Sequence, residues 1–143
     1  MDDCRIPEIF ERTRRFLEIN HLEYQPVKWL PCHGIDLKKD GELNAHVDSI
    51  KFSGDLVAGM SLKSHCVMRL APHIDGEEGV MDGHVDLYLP PLSLYVLTGV
   101  ARYRYSHELL NSATTFHALD RSSISVHRDH RISVIFRDAK RAH

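Results

Sequence analysis

A histidine followed two residues later by an aspartate occurs four times in the chain: His46-Val47-Asp48, His73-Ile74-Asp75, His84-Val85-Asp86 and His127-Arg128-Asp129. On a strand, residues i and i+2 point to the same face, so each pair can present two adjacent ligands to one metal. A distant second histidine would complete a 2-His-1-carboxylate set, which leaves positions open on Fe(II) for a cosubstrate and oxygen. Because the chain holds eleven histidines in 143 residues, the triplet is weak evidence alone. Taken singly, each pair is more simply a surface or turn pair.

Context separates the four. His73-Ile74-Asp75 runs into Gly76-Glu77-Glu78-Gly79, an acidic turn in which both side chains would be solvated. His84 stands so close before His107 that only about two strands fit between them, too few to cross a barrel and return. His127-Arg128-Asp129 lies among His130 and Arg131, a positive setting that disfavours a dication. His46 leads toward a long apolar stretch and precedes His107 by enough chain for several strands, so His46, Asp48 and His107 are the favoured metal ligands.

The last apolar stretch supplies independent support. In Arg131-Ile132-Ser133-Val134-Ile135-Phe136-Arg137, alternation puts Arg131, Ser133, Ile135 and Arg137 on one face and Ile132, Val134 and Phe136 on the other. Two guanidinium groups facing the same way as a hydroxyl suit a dicarboxylate, because guanidinium pairs bidentately with carboxylate. Such a strand spans roughly 20 Å, so the two arginines must lean together to share one small ligand. An edge strand with ordinary exposed arginines would show the same pattern.

The elements that must hold these residues can be read coarsely. Residues 7–20 place Ile9, Phe10, Thr13, Phe16 and Leu17 on one helical face, with Pro7 in the first turn, where its missing N–H costs nothing. From about Val27 onward the pattern shortens to apolar runs broken by turn signals such as Lys39-Asp40-Gly41, Ser53-Gly54-Asp55, Asp82-Gly83 and Pro90-Pro91. Strands are expected at Ile35–Leu37, Ile50–Leu62, Cys66–Leu70, His84–Leu89, Ser93–Leu97, Ala101–His107 and Arg131–Arg137, with residues 110–130 as a mobile loop near the pocket. This is a mainly β chain, one helix followed by a sandwich or barrel, in a single domain whose core runs over about residues 27–138.

Composition bounds the function. A net charge of −2 and a pI near 6.6 argue against a generic basic nucleic-acid binder. Cys4, Cys32 and Cys66 are too widely spaced for a zinc site and odd in number, which fits a reducing compartment. No apolar run is long enough for a transmembrane helix. Met1-Asp2-Asp3 has no apolar signal region, and Glu8, Glu11 and Glu18 among Arg12, Arg14 and Arg15 are unlike a transit peptide.

Taken together, His46-Val47-Asp48, His107, and Arg131 followed by Arg137 resemble the AlkB family of Fe(II)- and 2-oxoglutarate-dependent dioxygenases. The resemblance sharpens at His46-Val47-Asp48-Ser49-Ile50-Lys51-Phe52, Met68-Arg69-Leu70, Ser93-Leu94-Tyr95-Val96-Leu97, Ala101-Arg102-Tyr103 and Ser106-His107-Glu108, where it points to the mitochondrial, seventh AlkB homologue group. It covers roughly residues 9–138. It implies a double-stranded β-helix, or jelly roll, and an enzyme using Fe(II), 2-oxoglutarate and O2. It also implies iron on His46, Asp48 and His107, the distal carboxylate of 2-oxoglutarate on Arg131, and Arg137 near its other end. Ser133 lies beside Arg131, and Tyr95 matches a position whose hydroxyl contacts the cosubstrate, although a core aromatic of an alternating strand would read the same way.

Nucleic-acid-repairing relatives carry an N-terminal recognition lid and stacking aromatics for a flipped base. Here one helix precedes the strands and Trp29 is the sole tryptophan, so nucleic-acid dealkylation ranks below hydroxylation of a protein substrate. The resembled group implies links to mitochondrial function, fat metabolism and programmed necrosis, and a mitochondrial, matrix location. Relatives usually begin with a further N-terminal segment including the import sequence. With no transit peptide read in this chain, the other expectation is a cytoplasmic protein. Asn44-Ala45 stands where relatives often have a pair ending in Pro, which alters the approach to the ligands but not the ligands themselves. A non-catalytic jelly-roll binding or signalling module is the competing class. A cupin-type metal site ranks last, since no His-x-His occurs.

Overall fold

A computed structural model describes residues 5–74, 78 and 80–141. Cys4, Asp75 and most of the acidic turn after His73 lie outside them. The chain begins with α1 (Ile6–His21), continues through β1 (His33–Leu37), β2 (Leu43–His46), β3 (Ser53–Lys63), β4 (Cys66–Pro72), β5 (Val85–Leu89) and β6 (Ser93–Thr98), and turns through the short α2 (Gly99–Tyr103). It ends with β7 (Tyr105–Leu109), β8 (Ala113–His117), β9 (Ser123–His127) and β10 (Arg131–Ala139).

Two antiparallel four-stranded sheets form, in the orders β1-β10-β3-β6 and β2-β7-β4-β5, with β8 and β9 as a separate hairpin. Their inward residues make the main core: Leu37, Val57, Leu97 and Ile135 from the first sheet meet Cys66, Met68, Leu70, Leu89 and Leu109 from the second. This is the expected mainly β jelly roll, with one helix ahead of the strands. The first sheet is covered on its other face as well, where Leu17 of α1 packs on Leu56, Ala58 and Phe136. Phe10 meets Phe136 edge-on at 5.6 Å. A strand buried on both faces loses the polar half of its alternation, which is why β3 reads as an almost continuous apolar run.

Several expectations need correction. On α1 the buried stripe is narrower than the periodicity suggests: Phe10, Thr13 and Leu17 turn inward, whereas Ile9 and Phe16 stay exposed. Ile50–Phe52 belong to a turn ahead of β3, because Ser49 accepts the main-chain N–H of Ser53 on its carbonyl and that of Phe52 on its hydroxyl. The strand expected at Ala101–His107 divides. Gly99, at φ +54°, reverses the chain after β6, and Gly99–Tyr103 form α2 before β7 starts. The expected mobile loop at 110–130 contains the β8–β9 hairpin, paired from Ala113↔His127 to His117↔Ser123. Buried Arg128 ties the end of this hairpin to the carbonyl oxygens of Lys38 and Gly41. The hairpin therefore stands at the Arg131 end of β10.

Candidate metal centre

β2 and β7 pair antiparallel with His46 opposite His107. Direct cross-strand partners bring their side chains together on one face, and here the two imidazoles stand 4.3 Å apart between ring centres. Asp48 reaches the pair by a different route from the one expected. β2 ends at His46, so Asp48 is not its strand neighbour but the second residue of the turn leading to β3. Its Oδ1 lies 3.3 Å from His46 Nε2 and 3.8 Å from His107 Nε2. One ligand atom from each residue falls within 4.8 Å of the others, and among the described residues no other trio of His, Cys, Asp or Glu does this.

The electrostatics suit a cation. Asp48 is 6% exposed. Burial opposes its ionisation, but hydrogen bonds from His46 and Arg137 outweigh that and hold its carboxyl well below the usual carboxylate range. Burial pushes the His107 imidazole down to about 4, with His46 adding to the effect, so it is neutral and can ligate. His46 is raised above its ordinary value, mainly by its bond to Asp48. Its Nδ1 stands 2.9 Å from the Asn44 carbonyl, which can only accept. Nδ1–H therefore stays on that carbonyl, and loss of the Nε2 proton that bonds to Asp48 frees Nε2 as the donor to a metal.

Among the described residues no rival triplet gathers a third ligand, although His84 Nε2 lies 3.8 Å from Asp86 Oδ2. Asp86 accepts two bonds from Arg69, at 2.8 and 3.0 Å, which hold it on the pairing face of β4 and β5. His127 bonds to Ser125, and His130 pairs with Asp36 rather than with Asp129.

Behind the trio, a narrow cavity between the sheets is lined by Tyr95, Met68, Leu109, Arg131, Ser133, Ile135 and Arg137 together with His46 and His107. The alternation along β10 thus does put Arg131, Ser133, Ile135 and Arg137 on one interior face. Arg131 is 2% exposed and Ser133 fully buried. Arg131 donates through Nε to Ser61 Oγ at 3.2 Å, yet its Nη2 and the Ser133 hydroxyl have no hydrogen-bond partner. Two buried donors left unpaired in one cavity carry a desolvation cost that an anionic oxygen would remove. Arg137 instead pairs with Oδ2 of Asp48. Burial pushes the Tyr95 phenol up to about 12, so it stays a neutral donor. The cavity holds only about 20 Å³, room for a water. On the other side of the trio, a depression of about 300 Å³ lined by Leu30, Val47, Asp48, Phe52 and Arg137 opens to solvent. A larger groove of about 560 Å³ under α1, between Phe10, Arg14, Glu18 and Trp29, has no such convergence of ligating groups.

Two contributors escaped the sequence reading. Gly59 stands opposite Tyr95 in the β3–β6 ladder, and a Cβ there would sit 2.2 Å from the Tyr95 ring. Only the missing side chain lets Tyr95 lie in the cavity. Gly59→Ala should therefore displace the ring and cost about 1–3 kcal/mol by overpacking. Metal binding at the trio should change little, which calorimetric titration with Mn(II) beside a denaturant unfolding curve would reveal. Arg102 is the second, buried in α2 against the turn that carries Asp48.

No family model matches the chain. It is 43% identical over 107 residues to the mouse protein named alpha-ketoglutarate-dependent dioxygenase alkB homolog 7, mitochondrial; the match takes in 75% of this chain and 44% of that protein. Its bovine counterpart of the same name is 44% identical over 105 residues, 73% of this chain and 43% of that protein. The chain spans less than half the length of these relatives. The jelly roll and the histidine-aspartate-histidine cluster stand where the quoted motifs put them, and over about three quarters of its own length the chain is similar to these two AlkB relatives.

Proposed function

We propose that the chain is the catalytic core of an Fe(II)- and 2-oxoglutarate-dependent dioxygenase that hydroxylates a protein side chain in mitochondria, as a single jelly-roll domain. The observation that carries this reading is the opening of one cavity onto both the His46–Asp48–His107 cluster and the unpartnered Arg131 and Ser133 donors. A dianionic cosubstrate beside a cation is the ligand chemistry such a donor set satisfies. His46, Asp48 and His107 would hold the iron. Arg131 and Ser133 would take the distal carboxylate of 2-oxoglutarate, with the Tyr95 hydroxyl donating along its length and Arg137 near its other end. The bound iron and cosubstrate, with O2, supply an oxidative decarboxylation coupled to oxygen insertion; the protein orients the ligands and keeps the chamber dry.

A protein substrate is favoured by the mouth outside the cluster, where Leu30, Val47 and Phe52 offer an apolar surface. Trp29, the sole tryptophan, is engaged elsewhere: its indole N–H donates to Glu18 at 2.6 Å and it packs against the α1 core, so it is no stacking platform for a base. The mitochondrial location follows the names of the relatives, and the links to fat metabolism and programmed necrosis follow the family resemblance. The water-sized cavity favours a second reading, a non-catalytic jelly-roll module, since a five-carbon dicarboxylate enters only if side chains such as Leu43 and Ile35 shift.

Anaerobic titration with Fe(II) and 2-oxoglutarate separates the two. The enzyme reading expects both ligands to bind, followed in air by succinate release and, with the right protein partner, a mass gain of one oxygen atom. Binding of neither ligand, or binding with no succinate in the presence of any mitochondrial protein fraction, would rule it out.

A further inference from the structure

We propose that Arg102 is a positioning residue for the metal centre, its guanidinium fixing the turn that aims Asp48 at His46 and His107; this rests on reading the cluster as a metal site. Asp48 lies beyond the end of β2, so no ladder bonds hold its backbone. Arg102 supplies the hold. Its Nη1 donates to the Asp48 carbonyl at 3.0 Å, Nε to that of Gly54 at 3.1 Å, and Nη2 to that of Ser49 at 3.2 Å. These acceptors bracket the turn from the ligand itself to the start of β3.

Arg102 is 2% exposed, and the hydrogen bonds of its guanidinium go to neutral carbonyl oxygens rather than to a carboxylate. Burying a cation without a counter-ion is costly. A planar fork of five donors matches converging carbonyls in a way that the single ammonium of lysine does not. The adjacent Tyr103 hydroxyl donates its one proton to Asp55 at 2.6 Å and lies 3.2 Å from the Gly54 carbonyl, which shares it. The segment that carries Arg102 continues directly into β7 and His107, and His107 faces His46 across the ladder. One segment thus provides a ligand, the strand partner of a second ligand, and the clamp on the third.

The test is Mn(II) binding to the full chain, followed by the loss of the free-ion signal in electron paramagnetic resonance, with no turnover involved. Arg102→Met is expected to weaken Mn(II) binding by about tenfold or more, as removal of supports behind metal ligands does elsewhere, and Arg102→Lys to recover only part of it. Phe136→Leu, in the core on the far face of the first sheet, serves as the stability-matched comparison and should keep the affinity of the unaltered chain. Tyr103→Phe removes one hydroxyl from the same clamp and should give a smaller loss in the same direction, which reads the clamp even if neither Arg102 variant folds. Affinities within twofold of the unaltered chain, or an equal loss in Phe136→Leu, would reduce Arg102 to a structural tie and overturn the proposal. An unaltered chain that takes up no Mn(II) would instead remove the metal-centre reading, and the proposal with it.

Discussion

Asp48→Ala is expected to abolish the thermal stabilisation that Fe(II) gives the protein. A ligand at a hundredfold excess over its Kd stabilises the folded state by about 2.7 kcal/mol. For a chain of this length that raises Tm by about 9 °C. The Asp48 carboxylate is the only anion of the trio, and its Oδ1 is the atom near both imidazoles. Without it, two neutral nitrogens remain beside the cationic Arg137, a setting that repels a dication. The expected shift is then about 1 °C or less, measured by differential scanning fluorimetry under anaerobic conditions. Asp48→Asn keeps the shape but not the charge and should lose nearly as much. Asp86→Ala, from the rival His84-x-Asp86 triplet, breaks a half-exposed pair with Arg69 of the kind worth about 0–1 kcal/mol and should keep the full metal response. A response lost in Asp86→Ala and kept in Asp48→Ala would place the metal elsewhere.

How far the site was legible depended on which contacts are local in sequence. Period-two alternation is local, so the common face of Arg131, Ser133, Ile135 and Arg137 could be read directly from β10. Chain length to His107 separates His46 and Asp48 from the His84 triplet, and an acidic turn and a positive setting separate them from the other two, although the supporting picture of one strand bearing both ligands does not hold. β2 is a four-residue edge strand containing Asn44 and His46, too short and polar to stand out. Gly59 and Arg102 were not legible, because their value lies in Tyr95 and in the 48–54 turn, neither of which is near them in the chain. The alternating Ala101-Arg102-Tyr103-Arg104-Tyr105 imitates a strand for the same reason: the burial of Arg102 is set by distant carbonyls rather than by a sheet face. α1 and the main β3, β4, β6 and β10 strands, whose cores rest on long apolar runs, were visible with boundaries shifted by a few residues.

Metal affinity should also fall steeply with acid, in two stages set by different histidines. A ligand must lose its proton to bind, so each group protonated in the free protein costs a factor of ten per pH unit below its pKa. His46 is raised above 6.5 by its bond to Asp48, so the decline starts above pH 6.5. His107 is held at about 4, first by burial, and remains neutral through the mildly acidic range. Asp48 is depressed further and stays ionised throughout. The logarithm of the Mn(II) association constant should therefore fall with a slope of about one between pH 6.5 and 4.5, a loss of about a hundredfold, and steepen toward two only near pH 4. The metal-free protein offers an independent check. The folded pKa of His107 lies below its unfolded value near 6.5, so the unfolded chain binds more protons between pH 4 and 6.5. The stability that neutral His107 contributes is complete above 6.5 and is lost as the pH falls toward 4, by about 3 kcal/mol. His46 acts oppositely, contributing fully below 6.5 and fading as the pH rises through its raised value. His107→Gln should flatten the acid limb of the stability curve while leaving the His46 limb intact. A slope of two already at pH 6 in the metal titration would show that His107 is protonated there, and the burial account of its low pKa would fail.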